Sequence, residues 1–123
     1  MDPLVTRDQL VFLHVVASDI GHGQQAITRD DVDEALGRPV ATFVGELLYG
    51  TPFARAAALM ESLIARRHRA LAVMAGALWL EREGYRLEAS PAELRQQAMA
   101  VAAGAEDVDG LAGWFDANCR PLR

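Results

Sequence analysis

The chain contains no lysine; all 12 basic residues are arginine. This excludes chemistry that needs a lysine amine, such as a Schiff base or the lysine of a phosphate loop. Cysteine is almost missing. Cys119 stands alone among 123 residues, so there is no internal disulfide framework and a reducing compartment is expected. Long apolar runs are missing too. The longest uncharged one, Ala70 to Leu80, has 11 residues, against the roughly 20 of a membrane-spanning helix. Met1-Asp2-Pro3 has neither the basic start nor the apolar stretch of a secretory leader, and a cytoplasmic location is expected. Nor is there an excess of positive charge. Twelve basic against 17 acidic residues leave a formal charge of −5, which disfavours general binding to nucleic acid.

What is present describes a globule. Apolar residues make up 51 % and charged residues 24 %, enough apolar surface to bury a core and to exclude disorder as the main state. The length fits one domain over 1–123. Alanine supplies 22 residues and β-branched clusters are few, so the chain reads as an all-α bundle of about six helices.

Capping patterns open most of these helices. Thr6-Arg7-Asp8-Gln9 starts a helix over 7–19, with Leu10, Leu13 and Ala17 inward, and Gly21-His22-Gly23 breaks it. Thr28-Arg29-Asp30-Asp31 starts one over 30–36, stopped by Gly37 and Pro39. Residues 40–50 alternate like a strand between glycines and predict an extended flap or an irregular turn with a short helical piece. Thr51-Pro52 opens a helix over 52–66 with Phe53, Ala56, Met60 and Leu63 on its apolar stripe. A helix over 69–83 follows, then an extended connector at 85–88. Ser90-Pro91-Ala92-Glu93 opens a helix to about 103, and Asp107 opens the last.

No glycine or proline separates the helices over 52–66 and 69–83. Unbroken, 52–83 would form a rod about 48 Å long at 1.5 Å per residue, in a domain whose radius of gyration is about 14 Å. A bend is therefore placed in Arg66-Arg67-His68-Arg69, the most polar stretch of the segment. The two helices are expected to be antiparallel neighbours.

The order and spacing of several segments resemble the small death-on-curing branch of the Fic/Doc family over about residues 30–115. Asp33-Glu34-Ala35-Leu36-Gly37-Arg38-Pro39 runs into Ala41-Thr42-Phe43-Val44-Gly45-Glu46; later come Ala56 to Leu63 and Leu78-Trp79-Leu80-Glu81-Arg82-Glu83-Gly84-Tyr85-Arg86-Leu87. The resemblance implies a compact helical bundle, the cytosol of a bacterium and a toxin–antitoxin setting. It also implies transfer of AMP or phosphate from a nucleotide to a protein hydroxyl, with ATP and Mg²⁺. The family motif, His-x-Phe-x-Asp/Glu-Gly/Ala-Asn-Lys/Arg, sits between the two central helices. Its histidine is a general base, its acid holds Mg²⁺, and its small residue and asparagine cradle phosphate at a helix start.

This sequence departs from that motif. Ile64-Ala65-Arg66-Arg67-His68-Arg69-Ala70-Leu71 stands where the loop belongs, without the Phe, acid, Gly or Asn. One alignment puts His68 on the motif histidine; an ungapped one puts Arg69 on the motif arginine and Glu61 on the histidine. Phe115-Asp116-Ala117-Asn118-Cys119-Arg120 imitates the motif core without its histidine. The leading expectation is a protein that has lost the transfer motif and acts as a pseudoenzyme or binding module, with no cofactor of its own. Its partner is a protein (antitoxin-like or other) or a small anionic molecule. The alternative is a repurposed enzyme using Glu61, His68 or Glu46 in a cleft between the two central helices; an active Doc-type toxin ranks below both. Arg66, Arg67 and Arg69 read either as a solvated turn favoured by the helix dipole or as a retained anion site. His14 reads as a packed histidine, His22 as a loop residue and Trp79 as core or interface. A reactive Cys119 thiol is left open, and no metal-ligand spacing is found.

Overall fold

The computed structural model describes residues 1–20 and 26–122, so the break at Gly21-His22-Gly23 lies outside the described residues. Among the described residues six helices follow one another: α1 (Arg7–Ile20), α2 (Arg29–Gly37), α3 (Pro52–Ala65), α4 (Arg69–Arg82), α5 (Pro91–Ala102) and α6 (Val108–Asn118). Two short antiparallel pairs join them: β1 (Thr42–Phe43) with β2 (Glu46–Leu47), and β3 (Tyr85–Leu87) with β4 (Cys119–Pro121). The fold is all-α, as expected.

The predicted starts act as caps. Thr6 and Gln9 form a reciprocal capping box, as do Thr28 with Asp31 and Ser90 with Glu93. Thr51 Oγ1 accepts from the Ala54 N–H at 3.0 Å, with Pro52 in the first turn. Gly37 does not stop α2. It is the last helical residue, and Arg38, still in right-handed geometry, is the C-cap.

α3 lies at the centre of the bundle, packed against α2, α4, α5 and α6. Nine of its residues are buried, among them Leu59, Met60 and Leu63, against Leu71 and Trp79 of α4, Leu94 of α5 and Leu111 and Phe115 of α6. α3 and α4 touch so closely that a Cβ at Gly76 would lie 2.6 Å from Met60 Cγ. At that level the Met60 side chain fills the space between the two central helices, and the cleft described below lies instead at the end they share, against α5.

Two segments are extended, as expected, and each is paired in a way the sequence did not specify. The flap at 40–50 has no helical piece. Val44 (φ 52°) and Gly45 (φ 79°) both take positive φ and close a two-residue hairpin, with Thr42 opposite Leu47 and Phe43 opposite Glu46. The connector at 85–88 is a strand, and the chain end is its partner. Leu87 pairs with Cys119 and Tyr85 with Pro121, and the Leu122 N–H donates to the Gly84 carbonyl at 2.8 Å.

Candidate functional site

The bend falls between α3 and α4 as predicted, and its hydrogen bonds explain why no glycine marks it. The Arg67 N–H donates to the Ile64 carbonyl at 3.0 Å and the His68 N–H to the Leu63 carbonyl at 2.9 Å. This is the Schellman closure of a helix, in which the residue bearing the first bond takes left-handed geometry. Here that residue is Arg67, at φ 67°. α5 closes in the same way with Gly104 at φ 76°: Gly104 donates to Val101 and Ala105 to Ala100.

The two closures border one cleft of about 580 Å³. Glu61, Ile64 and Ala65 of α3 line one wall, Val101, Ala102 and Gly104 the other, and Arg67 and Arg69 complete it. Arg67 and Arg69 are exposed and make no ion pair or side-chain hydrogen bond among the described residues. His68, the N-cap of α4, offers no side-chain cap bond to the first turn.

The three arginines do not converge. Arg66 turns the other way, toward α2, where its Nη1 donates to Asp31 Oδ1 at 2.7 Å and its Nη2 pairs with Glu34. The expected three-arginine anion spot is thereby reduced to Arg67 and Arg69, because two carboxylates already satisfy Arg66. His68 is fully buried, with Nε2 3.2 Å from Asp31 Oδ2 and the His14 ring edge-on at 5.6 Å. Its Nδ1 has no hydrogen-bond partner among the described residues. Asp31 thus serves the Thr28 cap, Arg66 and His68 at once. Burial pushes its carboxyl up, but the bonds from Arg66, His68 and Thr28 outweigh this and hold it down at about 2.

Glu61 lines the cleft and pairs with Arg38, whose Nε donates to the Tyr49 hydroxyl at 3.1 Å. Burial works against the Arg38 charge, but Tyr49 and Glu61 raise its pKa further, so the guanidinium stays charged. Glu46 lies in the exposed β1–β2 hairpin and is not among the cleft residues. Of the three acid–base candidates, only Glu61 reaches the cleft: His68 is sealed in the core and Glu46 is on the flap.

The imitation of the motif at 115–120 serves structure. Phe115 is core, the Asn118 Nδ2 donates to the Trp114 carbonyl at 2.8 Å, and Cys119 and Arg120 belong to β4. Burial and the nearby Asp116 push the Cys119 thiol up to about 11, which makes it a poor thiolate nucleophile. The donor set does not fit Mg²⁺ on a nucleotide. The cleft holds one carboxylate, already bound by Arg38, and no cluster of three metal-ligating side chains exists among the described residues.

Sequence reasoning missed Asp31, which holds the α3–α4 turn to α2, and an ion pair at the other end of the two central helices. Asp31 was legible only as a cap. Arg55 and Glu83 form a buried, two-pronged ion pair at 2.7 and 2.9 Å, to which the Trp79 Nε1–H adds a bond at 2.9 Å. Their spacing of 28 residues carries no local signal. No family model, curated protein or solved structure matches the chain.

Proposed function

We propose that the chain is a Fic/Doc-like cytosolic binding module without the family's nucleotide chemistry, and that it takes a small anionic ligand in the cleft between the α3–α4 turn and the end of α5. The observation that carries this reading is the pair Arg67 and Arg69. Both line the cleft and neither has an acidic partner among the described residues, whereas Arg38, Arg55 and Arg66 are each paired with a carboxylate. Guanidinium groups suit two-pronged contacts to phosphate or carboxylate. The cost of left-handed geometry at Arg67 supports the reading as well, since strain of this kind collects at functional sites.

Thermal unfolding in graded phosphate or citrate at constant ionic strength tests it. An anion at about ten times its Kd stabilises by about 1.4 kcal/mol, or roughly 5 °C for a domain of this size. That gain is expected in the wild type and not in Arg67→Ala/Arg69→Ala. Equal stabilisation of both returns the pair to a solvated turn.

A protein partner is the second reading, favoured by Val11, Phe12 and Val15, which lie exposed on one face of α1.

A further inference from the structure

The cleft is bipolar. Arg67 and Arg69 supply positive charge, and Glu61 stands about one turn of α3 back from the turn that carries them. Arg38 occupies Glu61 Oε1 and no partner of Oε2 is found among the described residues, so a carboxylate oxygen remains to accept a hydrogen bond. Between these poles, Ile64, Val101 and Ala102 are apolar. The volume of about 580 Å³ lies inside the roughly 300–1,000 Å³ of small-molecule sites.

We infer that the ligand is a small zwitterion of amino-acid type: its carboxylate on Arg67 and Arg69, its ammonium on Glu61 Oε2, and a short apolar side chain against Ile64, Val101 and Ala102. This rests on the anion-binding reading above and goes one step further. Inorganic phosphate engages the arginines and leaves Glu61 Oε2 and the apolar wall without a contact. A zwitterion satisfies both poles and covers the apolar wall.

Calorimetry with the full chain tests this using four probes: L-leucine, 4-methylpentanoate (the same skeleton without the amine), 3-methylbutylamine (without the carboxylate) and inorganic phosphate. The expected result is L-leucine binding about tenfold tighter than 4-methylpentanoate, the scale of one charge-assisted hydrogen bond, with 3-methylbutylamine silent. Glu61→Gln should lower L-leucine to the level of 4-methylpentanoate, with an unchanged circular-dichroism spectrum showing that the variant is folded. L-leucine no tighter than 4-methylpentanoate, with phosphate still bound, overturns the zwitterion and leaves the anion site standing. Loss of every probe, phosphate included, overturns both.

Discussion

The Arg67 N–H donates to the Ile64 carbonyl at 3.0 Å while Arg67 holds φ 67°, in a turn that α5 makes with Gly104. One molecule thus contains the same helix closure twice, once with the residue the geometry favours and once with an arginine. Left-handed geometry costs a side-chain-bearing residue about 1–2 kcal/mol, and the arginine that bears this cost lines the cleft.

Replacing Arg67 by glycine should therefore separate stability from binding. Arg67→Gly is expected to raise the unfolding free energy by about 1 kcal/mol in chemical denaturation while weakening phosphate binding. A variant that loses stability would show that the Arg67 side chain holds the turn together.

Asp31 ties α2 to the α3–α4 turn, and its pKa makes that tie depend on acid. The ordinary value of 3.8 falls to about 2 in the folded chain. A depressed carboxyl stabilises fully above its unfolded pKa, so the contribution is complete above about pH 4 and fades as pH falls toward 2. Asp31→Asn should cost about 1.5–3 kcal/mol at pH 7, and the gap to wild type should narrow across pH 4 to 2. Urea midpoints over that range check it; a gap independent of pH would contradict it.

Gly76 sits mid-helix, where alanine is favoured by about 1 kcal/mol on propensity alone. Yet a Cβ there would press on Met60 Cγ and Sδ, in a side chain that is itself fully buried. Overpacking of this kind costs about 1–3 kcal/mol, so Gly76→Ala should lower the melting temperature. Met60→Ala/Gly76→Ala should lose less than the sum of the two single changes, because the double variant relieves the clash.

The seal on His68 predicts an outcome for transfer chemistry. A general base must come within hydrogen-bond reach of the hydroxyl it activates, and this imidazole is fully buried against Asp31. Labelled ATP with Mg²⁺ and cell lysate should give no protein labelling above background. Strong labelling that disappears in His68→Ala would show that the turn opens to admit substrate.

The fold was largely legible in the sequence because its signals are local. Thr28, Thr51, Ser90 and Asp107 each stand at a helix start and cap it. The bend follows from the length argument and from the polarity of Arg66 to Arg69, since an arginine occupies the position where glycine would have announced it. The β3–β4 pair was not legible: Leu87 and Cys119 meet across 32 residues, in strands of three residues. The site was legible in half. Arg67, Arg69 and Glu61 meet at the cleft; Arg66 and His68, their neighbours in sequence, turn to α2, because alternate residues of a tight turn face opposite ways. The far wall, Val101, Ala102 and Gly104, carries residue types that look like any helix end.

The most direct test of the anion cleft is an NMR titration of the arginine side-chain Nε–H signals with inorganic phosphate at constant ionic strength. The account predicts saturable shifts at Arg67 and Arg69, with the carboxylate-paired Arg55 and Arg66 unmoved. Shifts of equal size at Arg67, Arg69 and the exposed Arg95, rising without saturation, would contradict it.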